Sequence, residues 1–109
     1  MPKELLGGFE HRVLLAAAQI GAGAYTASIV AELERRTSRD VSPSAVYIAL
    51  QRLERRGLVV SHVRTDADSG DRRPRRYFRP TPDAVLMLRD ARRELEALWQ
   101  GLDFAEEGG

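Results

Sequence analysis

The stretch SPSAVYIALQRLERRGLVV, residues 42–60, constrains the chain more than any other, because it bounds a helix at both ends and leads straight into strand-forming residues. Ser42 suits an N-cap, since its hydroxyl can accept from an otherwise orphaned backbone N–H. Pro43 suits the first helical position, where its missing N–H costs nothing. Val46, Ala49, Leu50 and Leu53 recur at helical spacing and make one apolar stripe. Gly57 supplies the left-handed residue that ends such a helix, so the spacing predicts a helix over 43–56. Beyond it, LVVSHVRT and RRYFRP are β-prone, and DADSGDRRP between them carries Gly70 and Pro74, which predicts a β-hairpin with a long tip.

Two helices are expected ahead of this unit. Leu6, Phe9, Val13, Ala16 and Ile20 step by three and four, which predicts an amphipathic helix over about 5–20. GAGA at 21–24 then stops it. GAGAYT lacks the third glycine of a dinucleotide loop and follows a helix where such a loop needs a strand, so it reads as a turn. Ile29, Val30 and Leu33 mark a second helix over about 25–37, broken by TSRD. Thr81–Pro82 repeats the start signal of Ser42–Pro43 and opens a last helix, in which Ala84, Leu88, Ala91, Leu95, Leu98 and Leu102 keep a heptad step. A heptad seam on a chain whose core is already built needs a partner, so Leu88, Ala91, Leu95, Leu98, Trp99 and Leu102 are expected to pack on a second copy in a homodimer. The expected fold class is therefore mainly α with a small β-hairpin. It is a winged helix-turn-helix, a three-helix core plus wing over 1–80, followed by a C-terminal dimerisation helix and acidic tail over 81–109.

Charge says what the hairpin could meet. The net charge of +1 divides along the chain: residues 35–79 hold 12 arginines against 5 acids, a balance of +7, and the flanks hold 5 basic residues against 11 acids, a balance of −6. A basic centre in a nearly neutral protein fits a polyanion, although an arginine-rich solvated surface is the plainer reading. On the third helix the side opposite the apolar stripe carries Ser44, Ile48, Gln51 and Arg55, with Arg52 on its shoulder and Tyr47 at the flank. The hydroxyls can bond to phosphate, Gln51 and Arg52 can reach base edges, and Ile48 can touch a thymine methyl. Arg72, Arg73, Arg75 and Arg76 crowd one end of the hairpin, where arginine suits phosphates or a narrow minor groove. Each has a plainer use as well: Ser42 as a cap alone, Tyr47 as filler between helix and hairpin, Arg55 and Arg56 as partners of the helix dipole.

The segment GAYTASIVAELERRTSRDVSPSAVYIALQRLERRGLVV, continued by RRPRRYFRPT, resembles the PadR-like family of transcriptional regulators over most of residues 10–85. The resemblance implies a winged helix-turn-helix that dimerises through its C-terminal helix and represses transcription at an inverted repeat in double-stranded DNA. It implies DNA contacts by Ser42, Ser44, Ala45 and Tyr47, and by Arg75 and Arg76 in the wing. Ile48 and Gln51 fall in the variable part of the reading helix, where sequence preference would be set. Two positions depart from the pattern: Thr26 stands where glycine is frequent, and Pro80 replaces the usual leucine, which is expected to shorten the second strand. Some relatives bind flat apolar effectors between their C-terminal helices; here Trp99 is assigned first to packing the interface and second to stacking on such a ligand.

Other classes find less support. With 43% apolar residues in 109, a single domain with a modest core is expected, and the absence of cysteine excludes disulfides and thiolate metal sites. Asp66, Asp68 and Asp71 are spaced like part of a calcium loop but lack its closing glutamate, so no metal is expected, nor any cofactor. His11 and His62 are far apart and no nucleophile–base motif is present, so an enzyme is not expected. No apolar run approaches the ~20 residues of a membrane span and MPKELLGGFEHR lacks a signal-peptide core, so a soluble cytoplasmic protein is expected. The remaining rival is a winged helix that serves only as a protein-interaction module.

Overall fold

The computed structural model describes residues 6–65 and 73–104. In chain order it contains α1 (Gly8–Ile20), a 3-10 turn (Gly21–Gly23), α2 (Thr26–Thr37), α3 (Pro43–Arg55), β1 (Val59–Thr65), β2 (Pro74–Pro80) and α4 (Pro82–Trp99). α1 is central and packs on α2, α3, β2 and α4. That position explains why its buried face is wider than the periodicity predicts: Leu14 and Ala17 are buried along with Val13 and Ala16. The helix also starts later than expected. Leu6 lies ahead of it, half-buried against the core.

The caps follow the sequence closely. The Ala45 N–H donates to Ser42 Oγ at 3.3 Å, with Pro43 behind it. At the other end of α3, Gly57 has φ +75°, its N–H donates to the Glu54 carbonyl at 3.0 Å, and the Leu58 N–H donates to the Leu53 carbonyl at 2.9 Å. This paired closure leaves Leu53 and Leu58 together in the core, so the end of the helix and the start of the hairpin are one packed unit. α2 begins one residue later than expected, because Tyr25 is extended and its N–H donates to Ser28 Oγ at 2.9 Å.

β1 and β2 are antiparallel, in register from Val59 opposite Pro80 to Thr65 opposite Pro74. Pro80 does not shorten β2, contrary to expectation. It pairs at the last position of the strand, and the Thr81 N–H supplies the next bond, to the Leu58 carbonyl at 3.0 Å. On the other edge of β2 the Phe78 N–H donates to the Ala24 carbonyl at 2.9 Å, so the segment entering α2 flanks the wing. Thr81 caps α4 through Ala84 N–H at 3.2 Å and its hydroxyl donates to the Gly57 carbonyl at 2.9 Å, which ties α4 to the end of α3.

The core gathers Val13, Leu14, Ile29, Val46, Leu50, Leu53, Val59 and Phe78, with Ala84 and Leu88 of α4. Truncating Leu50, which is fully buried, to alanine would cost about 2–5 kcal/mol. The radius of gyration is 16.3 Å, against about 13 Å for a compact chain of this length, which fits a body from which other parts project. Among the described residues no helix is long and apolar enough to cross a membrane.

Candidate nucleic-acid interface

Because Val46, Ala49, Leu50 and Leu53 face the core, helical geometry turns the remaining residues of α3 outward. Ser42, Ser44, Tyr47, Ile48, Gln51, Arg52 and Arg55 are exposed, and Ala45 is half-buried. Tyr47 and Ile48 are 46% and 47% exposed, so about half of each side chain is open to solvent. The helix presents small hydroxyl residues at its start, an amide in its middle and Arg52 and Arg55 in its last turn. Ser42 already uses its hydroxyl as a cap acceptor, which leaves its O–H proton for an outside acceptor.

The wing carries Arg73, exposed just before β2, and Arg75 and Arg76 within it. Strand alternation sends the two in opposite directions. Arg76 Nη1 donates to Ser61 Oγ at 2.9 Å, and Ser61 Oγ donates to Glu54 Oε2 at 2.6 Å, so Arg76 is linked through β1 to α3. The Arg75 guanidinium lies 4.6 Å from the centroid of the Tyr25 ring. Arg72, Asp66, Asp68, Asp71 and Gly70 lie outside the described residues.

Sequence reasoning missed Tyr25, Tyr77 and Arg64. Arg64 sits 3.8 Å over the Tyr77 ring, and the Tyr25 and Tyr77 rings meet edge to face with centroids 5.5 Å apart. The spacing of Arg75 and Tyr77, two apart on a strand, was a readable sign that they share a face. The approach of Tyr25 depends on tertiary packing and had no local signal.

A second surface lies on α4. Leu88 was expected in the dimer seam but is only 9% exposed, and with Ala84 it packs in the protomer's own core. The helix ends at Trp99, with Gly101 at φ +81°, so Leu102 lies beyond it and does not continue the helical seam. Ala91 is half-buried, and Leu95, Leu98 and Trp99 are 54%, 72% and 58% exposed. Phe104 folds edge-on to Trp99 at 5.6 Å. Between α4 and α1 runs an open cleft of about 540 Å³, lined by Leu15 and His11 on one side and by Leu88, Leu95 and Trp99 with Arg89, Arg92 and Glu96 on the other. On α2, hydrogen bonds from Arg36 and then Arg35 hold the Glu32 carboxyl below its ordinary pKa.

Three packed helices, the third exposed on one side, and a two-stranded wing directly after it define a winged helix-turn-helix protein. The profile of the transcriptional regulator PadR-like family matches residues 14–84, and the chain belongs to that family, one of transcriptional regulators rather than enzymes. It is similar to the transcriptional regulator Rv3488 of Mycobacterium tuberculosis, with 45% identity over 67 residues. That match covers 62% of this chain and 58% of the relative, so the chain spans less than three-fifths of that protein's length. Among solved structures, the PadR-like transcription factor from Bacteroides fragilis superposes with a TM-score of 0.69 at 20% identity, covering 83% of this chain and 82% of that one. BpsR of Bordetella bronchiseptica superposes with a TM-score of 0.62 at 24% identity, covering 97% and 74% of the two chains.

Proposed function

We propose that the protein is a homodimeric repressor that binds an inverted repeat in double-stranded DNA and blocks transcription by occupying a promoter. The observation that carries this reading is the outward face of α3, where Ser44, Tyr47, Ile48, Gln51 and Arg52 are exposed together on a capped helix fixed to the core. Two such helices in successive major grooves would lie about 34 Å apart, with the wings on the flanking backbone or minor groove. Ser42, Ser44, Ala45 and Tyr47 would approach phosphates, and Ile48, Gln51 and Arg52 would read bases. Arg73, Arg75 and Arg76 would supply the wing's sequence-independent contacts.

The second copy would cover Leu95, Leu98 and Trp99 and close the cleft against α1. An apolar effector held there, beside Trp99, would act on the spacing of the two reading helices. DNA binding by BpsR is regulated by 6-hydroxynicotinic acid, a flat aromatic acid, which supports looking for a flat ligand here rather than specifically an apolar one.

Selection of duplexes from a random pool by the purified protein tests the reading. A palindromic consensus, bound with an affinity that falls steeply as salt rises, is the expected result. A flat salt dependence, or no enriched sequence, would leave the winged helix as a protein-interaction module.

A further inference from the structure

The wing and the helix-turn-helix meet through an aromatic pair, Tyr25 and Tyr77. Tyr77 sits in the middle of β2, opposite His62, and is 2% exposed. Tyr25 sits immediately before α2, in an extended conformation fixed by its bond to Ser28. Their rings meet at 67°. The bond from the Phe78 N–H to the Ala24 carbonyl, 2.9 Å long, locks β2 to the segment carrying Tyr25, so backbone on both sides sets the distance between the rings. His62 stacks on Tyr77 from the other strand at 5.9 Å.

Two guanidiniums lie on this pair, Arg64 over Tyr77 and Arg75 over Tyr25. Arg64 and Arg75 stand directly opposite each other in the register, a like-charge placement that disfavours the hairpin in isolation. Each ring attracts one of the two cations, so both guanidiniums are held against the aromatic pair. Stacking engages the flat face of a guanidinium, whereas phosphate is bound through its in-plane N–H groups, and the two contacts do not compete.

We infer that Tyr25 and Tyr77 are positioning residues for nucleic-acid binding: they hold Arg64 and Arg75 as a pre-ordered pair of cations that takes a phosphate of the DNA backbone. The inference rests on the DNA-binding reading and extends it to three residues, Arg64, Tyr25 and Tyr77, outside the expected interface. A side chain already confined to a ring loses less freedom when it meets phosphate.

The test is a double-mutant cycle on a duplex recovered by selection, with a scrambled duplex beside it. Affinity is read across a salt series and folding is followed by thermal melting. Tyr25→Leu is expected to weaken binding about two- to tenfold, the scale of ordering one freed arginine side chain at an interface. Tyr25→Phe, which keeps the ring, should restore what Tyr25→Leu loses. In an Arg75→Ala background, Tyr25→Leu should cost nothing more, because the ring acts only through the guanidinium it holds. Independent losses that multiply in the double variant would overturn the inference. Arg75→Lys gives a second reading that does not depend on Tyr25→Leu folding. It keeps the charge and the salt slope but loses the stacked plane, so affinity should drop, and unchanged affinity would overturn the inference. A wild-type protein that binds neither duplex overturns the DNA-binding reading itself, and the inference with it.

Discussion

The outer faces of α3 and α4 are both exposed, but they expose different chemistry. On α3 the exposed positions are mainly serine, glutamine and arginine with one tyrosine and one isoleucine, groups that water solvates and a hydrated polyanion can replace. On α4 they include Leu86, Leu95, Leu98 and Trp99 among arginines and glutamates, and the exposure of these four apolar side chains forgoes about 25 cal/mol for every Å² of apolar surface left in water. The first surface is stable as it stands and suits a partner bound through charge and hydrogen bonds. The second suits a partner that is dry, and its continuity with Leu15 across the α1–α4 cleft suits a surface of the same kind. On the proposed reading, one helix of the fold would make a reversible, salt-sensitive contact and another a lasting one.

The sharpest way to break this contrast is to put charge on the apolar side. Leu95→Glu should give monomers in analytical ultracentrifugation, and operator affinity should fall by about 10²–10⁴-fold, because the two half-sites would no longer be engaged together. A dimer that survives would move the interface away from α4. Next in size is Tyr47→Ala, which should leave the dimer intact and cost about 1.5–3 kcal/mol of operator binding if its hydroxyl bonds to a phosphate. Normal binding by this variant, measured by fluorescence anisotropy, would take Tyr47 out of the reading face.

Much of the fold was legible because its boundaries are chemical. Ser42–Pro43, Gly57 and Thr81–Pro82 each satisfy or release specific backbone groups, and the elements start and stop at them. The exposed face of α3 was legible for the same reason: once Val46, Leu50 and Leu53 are assigned to the core, the helical period decides the rest. Periodicity was less informative where packing departs from one face. α1 is buried on several sides, so Leu14 and Ala17 were missed. In α4 the heptad runs through positions with different partners: Ala84 and Leu88 serve the protomer, and Leu95 and Leu98 remain outside it. The sequence pattern is the same along the helix, and only the position of α1 separates its two halves. The hold of Glu54 on Ser61 and Arg76, and of Tyr25 on Arg75, joins residues distant in sequence, where no local rule applies.

Ser42 is a helix cap and, on the proposed reading, also a phosphate contact, and two substitutions separate the two. Ser42→Ala removes the acceptor for the Ala45 N–H and should destabilise the domain by about 1 kcal/mol, seen as a lower melting temperature. It would weaken DNA binding too, so it cannot tell a cap from a contact. Ser42→Asp can. Aspartate caps at least as well and its charge suits the positive end of the α3 dipole, so the melting temperature should hold or rise. The same charge set against a phosphate would be repelled, and operator affinity should fall by more than in the alanine variant even though the protein is more stable. Such an inversion, stability up and binding down, would place Ser42 beside the backbone. If the aspartate variant binds as tightly as wild type, Ser42 serves only to start the helix, and the phosphate contacts begin at Ser44.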